Sequence, residues 1–174
     1  MKRYYIDYSL SNGLGNPSIS LYLTGCDKLN PCKNCHNWEL QNVKSDIINL
    51  DKLKVELDTW IGNFKEFHKE VYVSVLGGEP LAPWNREVTY EISKYIKIKY
   101  PESKIVIYTW RDITQLEDYS MEYFDFGVFG EFEEDLYVKN TLPSSLNQYI
   151  YDFNNNEILK PIILKGERIK NGEI

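Results

Sequence analysis

Apolar positions recur along this chain with two different periods, and the alternation between them marks out a run of strands and helices. Ile19-Ser20-Leu21-Tyr22-Leu23 reads as a first strand that leads directly into Thr24-Gly25-Cys26. Leu50, Leu53, Leu57, Trp60, Ile61 and Phe64 then recur at helical spacing, with Asn49 as the N-cap. Val71 to Leu76 is β-branched and aromatic and is cut by Gly77-Gly78, the pattern of a strand ending in a tight loop. A second helix is predicted over about Glu87 to Lys99, with Val88, Ile92, Tyr95 and Ile96 on one face and Pro101 closing it. Lys104 to Thr109 reads as another strand and Phe126 to Phe129 as a short one. Ile158 to Lys165 reads as the last, which Pro161 confines to an edge.

Strands alternating with helices of this length predict βαβ units and a parallel sheet. Ligands of such sheets sit beyond the carboxyl ends of the strands. That rule brings Cys26, the Gly77-Gly78 loop and Thr109 to one edge. No Ser/Gly/Pro-rich linker, repeat or low-complexity tract divides the 174 residues, so one domain over 1–174 is expected.

Composition narrows the classes. A hydrophobic share of 43% is that of a globular chain, and the net charge of -6 leaves no clustered basic face for nucleic acid. Lys94, Lys97 and Lys99 decorate one helix, and Glu131-Phe132-Glu133-Glu134-Asp135 reads as solvated surface. No apolar run approaches the roughly 18 residues of a membrane span. The basic N-terminus is not followed by an apolar signal core. The expectation is a cytoplasmic protein without membrane or nucleic-acid partners.

Three cysteines lie between positions 26 and 35 and none elsewhere, a pattern of metal binding rather than of a disulfide framework. Cys32 and Cys35 form a C-x2-C pair, and Cys26 lies five intervening residues upstream. Soft thiolates suit an iron–sulfur cluster or zinc. A zinc knuckle would take His36 as fourth ligand, although adjacent Cys35 and His36 side chains point apart. Three thiolates on a four-iron cube leave one iron for another ligand, such as the amino and carboxylate groups of S-adenosylmethionine (SAM). Gly77-Gly78-Glu79-Pro80 follows a strand and offers close backbone approach and a carboxylate suited to an ammonium group.

Together these motifs resemble the radical SAM superfamily. Asn12-Gly13-Leu14-Gly15, Thr24-Gly25-Cys26 and Cys35-His36-Asn37 are similar to segments of the small glycyl-radical-enzyme activases. So are Tyr108-Thr109-Trp110, Phe129-Gly130-Glu131-Phe132 and Asn147-Gln148-Tyr149-Ile150. The narrowest resemblance is to the activating enzymes of anaerobic (class III) ribonucleoside-triphosphate reductases, over about residues 5–153.

The resemblance implies an α/β fold of the partial TIM-like (β/α) barrel, radical SAM type. It implies a [4Fe-4S] cluster on Cys26, Cys32 and Cys35, with SAM received by Gly77, Gly78 and Glu79 and approached by Thr109 and Asn37. It implies reductive SAM cleavage to a 5′-deoxyadenosyl radical and hydrogen abstraction from a glycine of a large partner reductase. A flavodoxin- or ferredoxin-like electron donor goes with that chemistry. The chain departs from the resembled pattern in spacing, C-x5-C-x2-C against C-x3-C-x2-C, and in Asn34 and Phe129. Rival readings keep the radical chemistry on another glycyl radical enzyme, a peptide or a small molecule, or replace it with a non-catalytic zinc module. His68, the fourteen tyrosines and Trp38, Trp84 and Trp110 are read as packing or surface residues.

Overall fold

A hairpin opens the chain. Tyr4, Ile6, Tyr8 and Leu10 alternate with Tyr5, Asp7 and Ser9 along β1 (Tyr4–Gly13), which turns at Leu14-Gly15 into β2 (Asn16–Leu23). Leu14 and Gly15 have φ of 54° and 80°, the left-handed pair that suits the twist of a two-residue hairpin. The computed structural model describes residues 3–42, 47–116 and 120–164.

The helical pattern is realised as α1 (Leu50–Lys65), capped by the Asn49 side chain accepting from Lys52 N at 2.9 Å. Then come β3 (Tyr72–Gly77), α2 (Arg86–Lys99), β4 (Lys104–Thr109) and β5 (Phe126–Phe129). The remaining strands are short: β6 (Thr141–Leu142), β7 (Tyr149–Asp152), β8 (Glu157–Leu159) and β9 (Ile162–Ile163). The strand expected over Ile158 to Lys165 is thus broken at Lys160-Pro161, because proline cannot donate to a ladder; Lys165 lies outside the described residues.

The main sheet has seven strands in the order β1-β2-β3-β4-β5-β7-β8, and β6 pairs with β9 in a separate ribbon. Only β2 to β5 run parallel; β1, β7 and β8 are antiparallel to their neighbours. The expected partial TIM-like barrel is therefore not present. A (β/α) barrel repeats parallel strand and helix around a closed ring. Here hairpins flank the four parallel strands, β1 and β8 stand as unpaired edges of one open mixed sheet, and the described residues contain two α-helices. No helix among the described residues is long and apolar enough to cross a membrane.

Both helices cover one face of the sheet. Leu53, Leu57 and Ile61 of α1 and Ile92 and Ile96 of α2 pack on Ile19, Leu21, Val73, Val75, Ile105 and Ile107, all fully buried. The opposite face carries a smaller apolar cluster, Val106, Val128 and Ile150, and a polar one further towards β1. This second face is the one that opens into the site.

Candidate functional site

Three chain segments cross just beyond β2 and β3. Leaving β2, Gly25 N donates to Leu40 O at 2.7 Å and Cys26 N to Gln41 O at 2.8 Å, which closes the loop of residues 26–41 at its base. From the turn after β3, Gly78 N donates to Leu23 O at 2.7 Å and Glu79 N to Gly25 O at 2.8 Å. A Cβ on Gly78 would lie 2.4 Å from Gly25 O and 2.7 Å from Leu40 O, so no side chain fits at the crossing. Asn85, just before α2, leaves the helix uncapped by its side chain. Its Nδ2 donates instead to Glu79 O at 2.9 Å and Thr24 O at 3.1 Å, while Oδ1 accepts from Arg3 at 2.8 Å.

A cavity of about 500 Å³ opens over this crossing, within the range of small-molecule sites. Cys26, Cys32, Cys35, Asn37, Gly77, Gly78, Glu79 and Thr109 all border it, so every site residue named from the sequence reaches one space. Asn12, Tyr22 and Tyr108 extend the wall along the open face of the sheet.

Glu79 is fully buried and accepts three hydrogen bonds, from Leu81 N at 2.9 Å, Thr109 Oγ1 at 2.8 Å and Trp110 N at 3.1 Å, and forms an ion pair with Arg111, whose Nη1 lies 3.1 Å away. A carboxylate offers about four acceptor sites, and three of them are taken within the protein. Burial pushes its carboxyl up to about 7, with the Arg111 guanidinium pulling it down. The Thr109 hydroxyl is engaged in holding Glu79 rather than free towards the cavity. Asn37 stands before a single 3-10 turn, Trp38–Leu40, without a side-chain capping bond.

The cysteine loop is held by charges that the sequence pattern does not advertise. Asp27 meets Arg111 Nη2 at 2.5 Å and Trp110 Nε1 at 3.2 Å; Lys28 meets Glu131 at 2.6 Å; Lys33 meets Glu134 at 3.0 Å. The acidic run read as solvated surface therefore clamps this loop. Its segment is braced in turn by Asn147 Nδ2 on Glu131 O and Gln148 Nε2 on Gly130 O, at 2.9 and 2.8 Å. Charge partners 84 or 103 residues apart leave no periodic trace. The available signal was Arg111, a cation directly after a strand-end Thr109-Trp110 pair.

Three free thiols bordering one cavity are a soft donor set that fits an iron–sulfur cluster. Burial pushes the Cys26 and Cys32 thiols up from the usual thiol value, with Lys28 partly offsetting this at Cys32. Among the described residues no three His, Cys, Asp or Glu side chains gather as a metal-ion group. His36, which borders the same cavity, packs in a ring cluster, 4.7 Å from Phe132 and 6.3 Å from Tyr137 between centroids. His68, the second histidine, stacks on Phe64 at 4.2 Å.

An open α/β sheet with three thiols and a glycine turn around one cavity defines an iron–sulfur protein. Residues 11–151 match the 4Fe-4S single cluster domain family, and the chain belongs to it. It is similar to the anaerobic ribonucleoside-triphosphate reductase-activating protein of Enterobacteria phage T4, 29% identical over 137 residues, spanning 76% of this chain and 82% of the relative. Proteins of the same description from Vibrio cholerae serotype O1 and Pasteurella multocida are 25% and 24% identical, spanning 86% of this chain and 96% and 97% of theirs. The resemblance to activating enzymes seen in the sequence thus holds. No solved structure matches the chain significantly.

Proposed function

We propose that this protein holds a [4Fe-4S] cluster on Cys26, Cys32 and Cys35, cleaves SAM reductively, and activates an anaerobic ribonucleoside-triphosphate reductase by taking hydrogen from one of its glycines. The carrying observation is the shared cavity: three thiols and the Gly77-Gly78-Glu79 turn border one space in a chain whose relatives are named as activating proteins of that reductase. Bound there, cluster and SAM supply one-electron cleavage of a carbon–sulfur bond, giving a 5′-deoxyadenosyl radical able to attack a glycine Cα–H.

The chain's own residues bind, orient and shield. Cys26, Cys32 and Cys35 would hold the cluster through their thiolates, and with three protein ligands it would remain open to the amino and carboxylate groups of SAM. The turn at Gly77-Gly78 is the proposed seat of the SAM ammonium, with Asn37 as a further contact from the end of the cysteine loop. Glu79, held by three hydrogen bonds and the Arg111 ion pair, contributes negative charge and holds the turn rigid; Thr109 acts through Glu79. Leu76, Val128 and Phe132 give the cavity an apolar wall that keeps water from a reactive intermediate. The cavity's open side faces a partner protein, and the electron comes from a flavodoxin- or ferredoxin-like donor in a reducing cytoplasm.

The test is anaerobic reconstitution followed by mixing with the cognate reductase, SAM and a reductant. A glycyl-radical EPR doublet with matching 5′-deoxyadenosine is expected. SAM cleavage without the doublet would overturn the activase reading in favour of another substrate.

A further inference from the structure

Five residues separate Cys26 from Cys32, and the first of them, Asp27, is held by partners from beyond β4. Arg111 is 8% exposed and stands two residues past the end of that strand. Its Nη2 lies 2.5 Å from Asp27 Oδ2 and its Nη1 3.1 Å from Glu79 Oε1. One guanidinium thus spans two carboxylates, one in the cysteine loop and one in the Gly-Gly-Glu-Pro turn. The neighbouring indole reinforces both ends: Trp110 Nε1 donates to Asp27 Oδ1 at 3.2 Å, its backbone N donates to Glu79 Oε2 at 3.1 Å, and its ring lies 4.8 Å from the guanidinium carbon.

Burial separates this bridge from the exposed Lys33–Glu134 pair, with Lys28–Glu131 between them at 18% and 42%. The side chains of Arg111, Asp27 and Glu79 are 9%, 17% and 1% exposed, against 79% and 38% for Lys33 and Glu134. Exposed pairs contribute little, whereas a desolvated fork fixes geometry. A planar guanidinium reaches both carboxylates at once; a lysine ammonium, a point charge on a flexible stem, engages one.

We propose that Arg111 is a positioning residue: by bridging Asp27 to Glu79 it sets Cys26 against the Gly77-Gly78-Glu79 turn, so that loop and turn keep one relative geometry. The proposal deepens the functional reading above and rests on it for its consequence, the alignment of cluster and SAM. The wide spacing between Cys26 and Cys32 is then no handicap, because the loop is anchored next to its first thiol.

The experiment compares the wild-type chain with Arg111→Lys, Arg111→Gln, Asp27→Asn and the Asp27→Asn/Arg111→Gln pair by hydrogen–deuterium exchange of the metal-free protein. Asp27→Asn keeps the Arg111–Glu79 contact, so its reading does not depend on the fold tolerating a lone buried carboxyl. Loss of a charge-assisted bond predicts about tenfold or faster exchange in residues 26–31 for each single variant. Amides of β3 and α2 stay unchanged, and the paired variant goes no further than Arg111→Gln alone. After anaerobic reconstitution, the same variants lose the SAM-dependent change in the reduced-cluster EPR spectrum, with Arg111→Lys intermediate. Unchanged loop exchange in Asp27→Asn and Arg111→Lys would overturn the proposal. Equal acceleration across the whole sheet would also overturn it, as the mark of a purely structural residue. Loop acceleration in a protein that takes up no iron or sulfide would support the bridge and overturn the cluster reading.

Discussion

The two faces of the central sheet are built from alternate residues of the same strands, yet they share almost no chemistry. On the helix side Ile19, Leu21, Val73, Val75, Ile105 and Ile107 bury all their surface against α1 and α2. On the other side the intervening positions are Ser18, Ser20, Tyr22, Ser74 and Tyr108. Asn12 Nδ2 donates to Ser20 Oγ at 3.1 Å and Tyr22 OH at 3.2 Å, and Asn12 O accepts from Ser74 Oγ at 2.8 Å and Tyr108 OH at 2.7 Å. Burying a hydroxyl costs free energy unless it is paired, so beside the apolar cluster of Val106, Val128 and Ile150 this part of the face is specified by satisfied hydrogen bonds. The difference teaches a division of labour: the dry face holds the fold, and the polar face keeps a cavity wall in register beside the cysteine loop.

One substitution on each face sharpens that contrast. Leu57→Ala removes a fully buried side chain from the helix-covered core and is expected to lower unfolding free energy by about 2–5 kcal/mol. Tyr108→Phe removes one hydrogen bond from the polar face and costs about 1 kcal/mol. Urea unfolding of the metal-free protein checks both. Equal losses would break the claim that the two faces are stabilised differently.

Two carboxylate hubs extend the comparison to pH. Asp58 joins α1 to α2 by accepting from Lys99 Nζ at 2.6 Å, Tyr100 OH at 2.8 Å and Tyr95 OH at 2.8 Å. Partial burial raises its carboxyl, but Lys99 and the two tyrosines outweigh that and hold it below the usual value. Its stabilisation is therefore full above the ordinary value of 3.8 and lost as pH falls beneath it. Glu79 behaves oppositely. With its folded value raised from 4.5 to about 7, the native state binds more protons than the unfolded chain between those limits, so stability falls as pH rises through that window. Glu79→Gln is expected to flatten the curve between pH 4.5 and 7, whereas Asp58→Asn loses about 1 kcal/mol at neutral pH and converges on wild type in acid. Denaturation midpoints across pH read both, and identical profiles for the two variants would remove the distinction.

Much of this arrangement was readable from residue order. The helices, the strand ends and the convergence of Cys26, Gly77-Gly78 and Thr109 follow from periodicity and the carboxyl-edge rule, since both are local or near-local signals. The open sheet was not. Whether a parallel sheet closes depends on its flanking strands, and those were misjudged: β1 was overlooked behind a basic N-terminus, although Tyr4, Ile6, Tyr8 and Leu10 alternate, and β7 is only four residues long. The engagement of Glu79 was equally invisible, because its partners Leu81, Thr109, Trp110 and Arg111 are brought together only by the fold. Asp27, Lys28, Arg111 and Glu131 were missed for the same reason: ion pairs across the sheet edge leave no mark in spacing.

The most direct test of the central claim is EPR spectroscopy of the anaerobically reconstituted, reduced protein, recorded with and without SAM and repeated on Cys26→Ser, Cys32→Ser and Cys35→Ser. The account predicts a [4Fe-4S] signal that SAM perturbs and that each cysteine variant loses. Zinc without iron or sulfide in the wild-type protein, or a cluster signal indifferent to SAM and to all three cysteines, would contradict it.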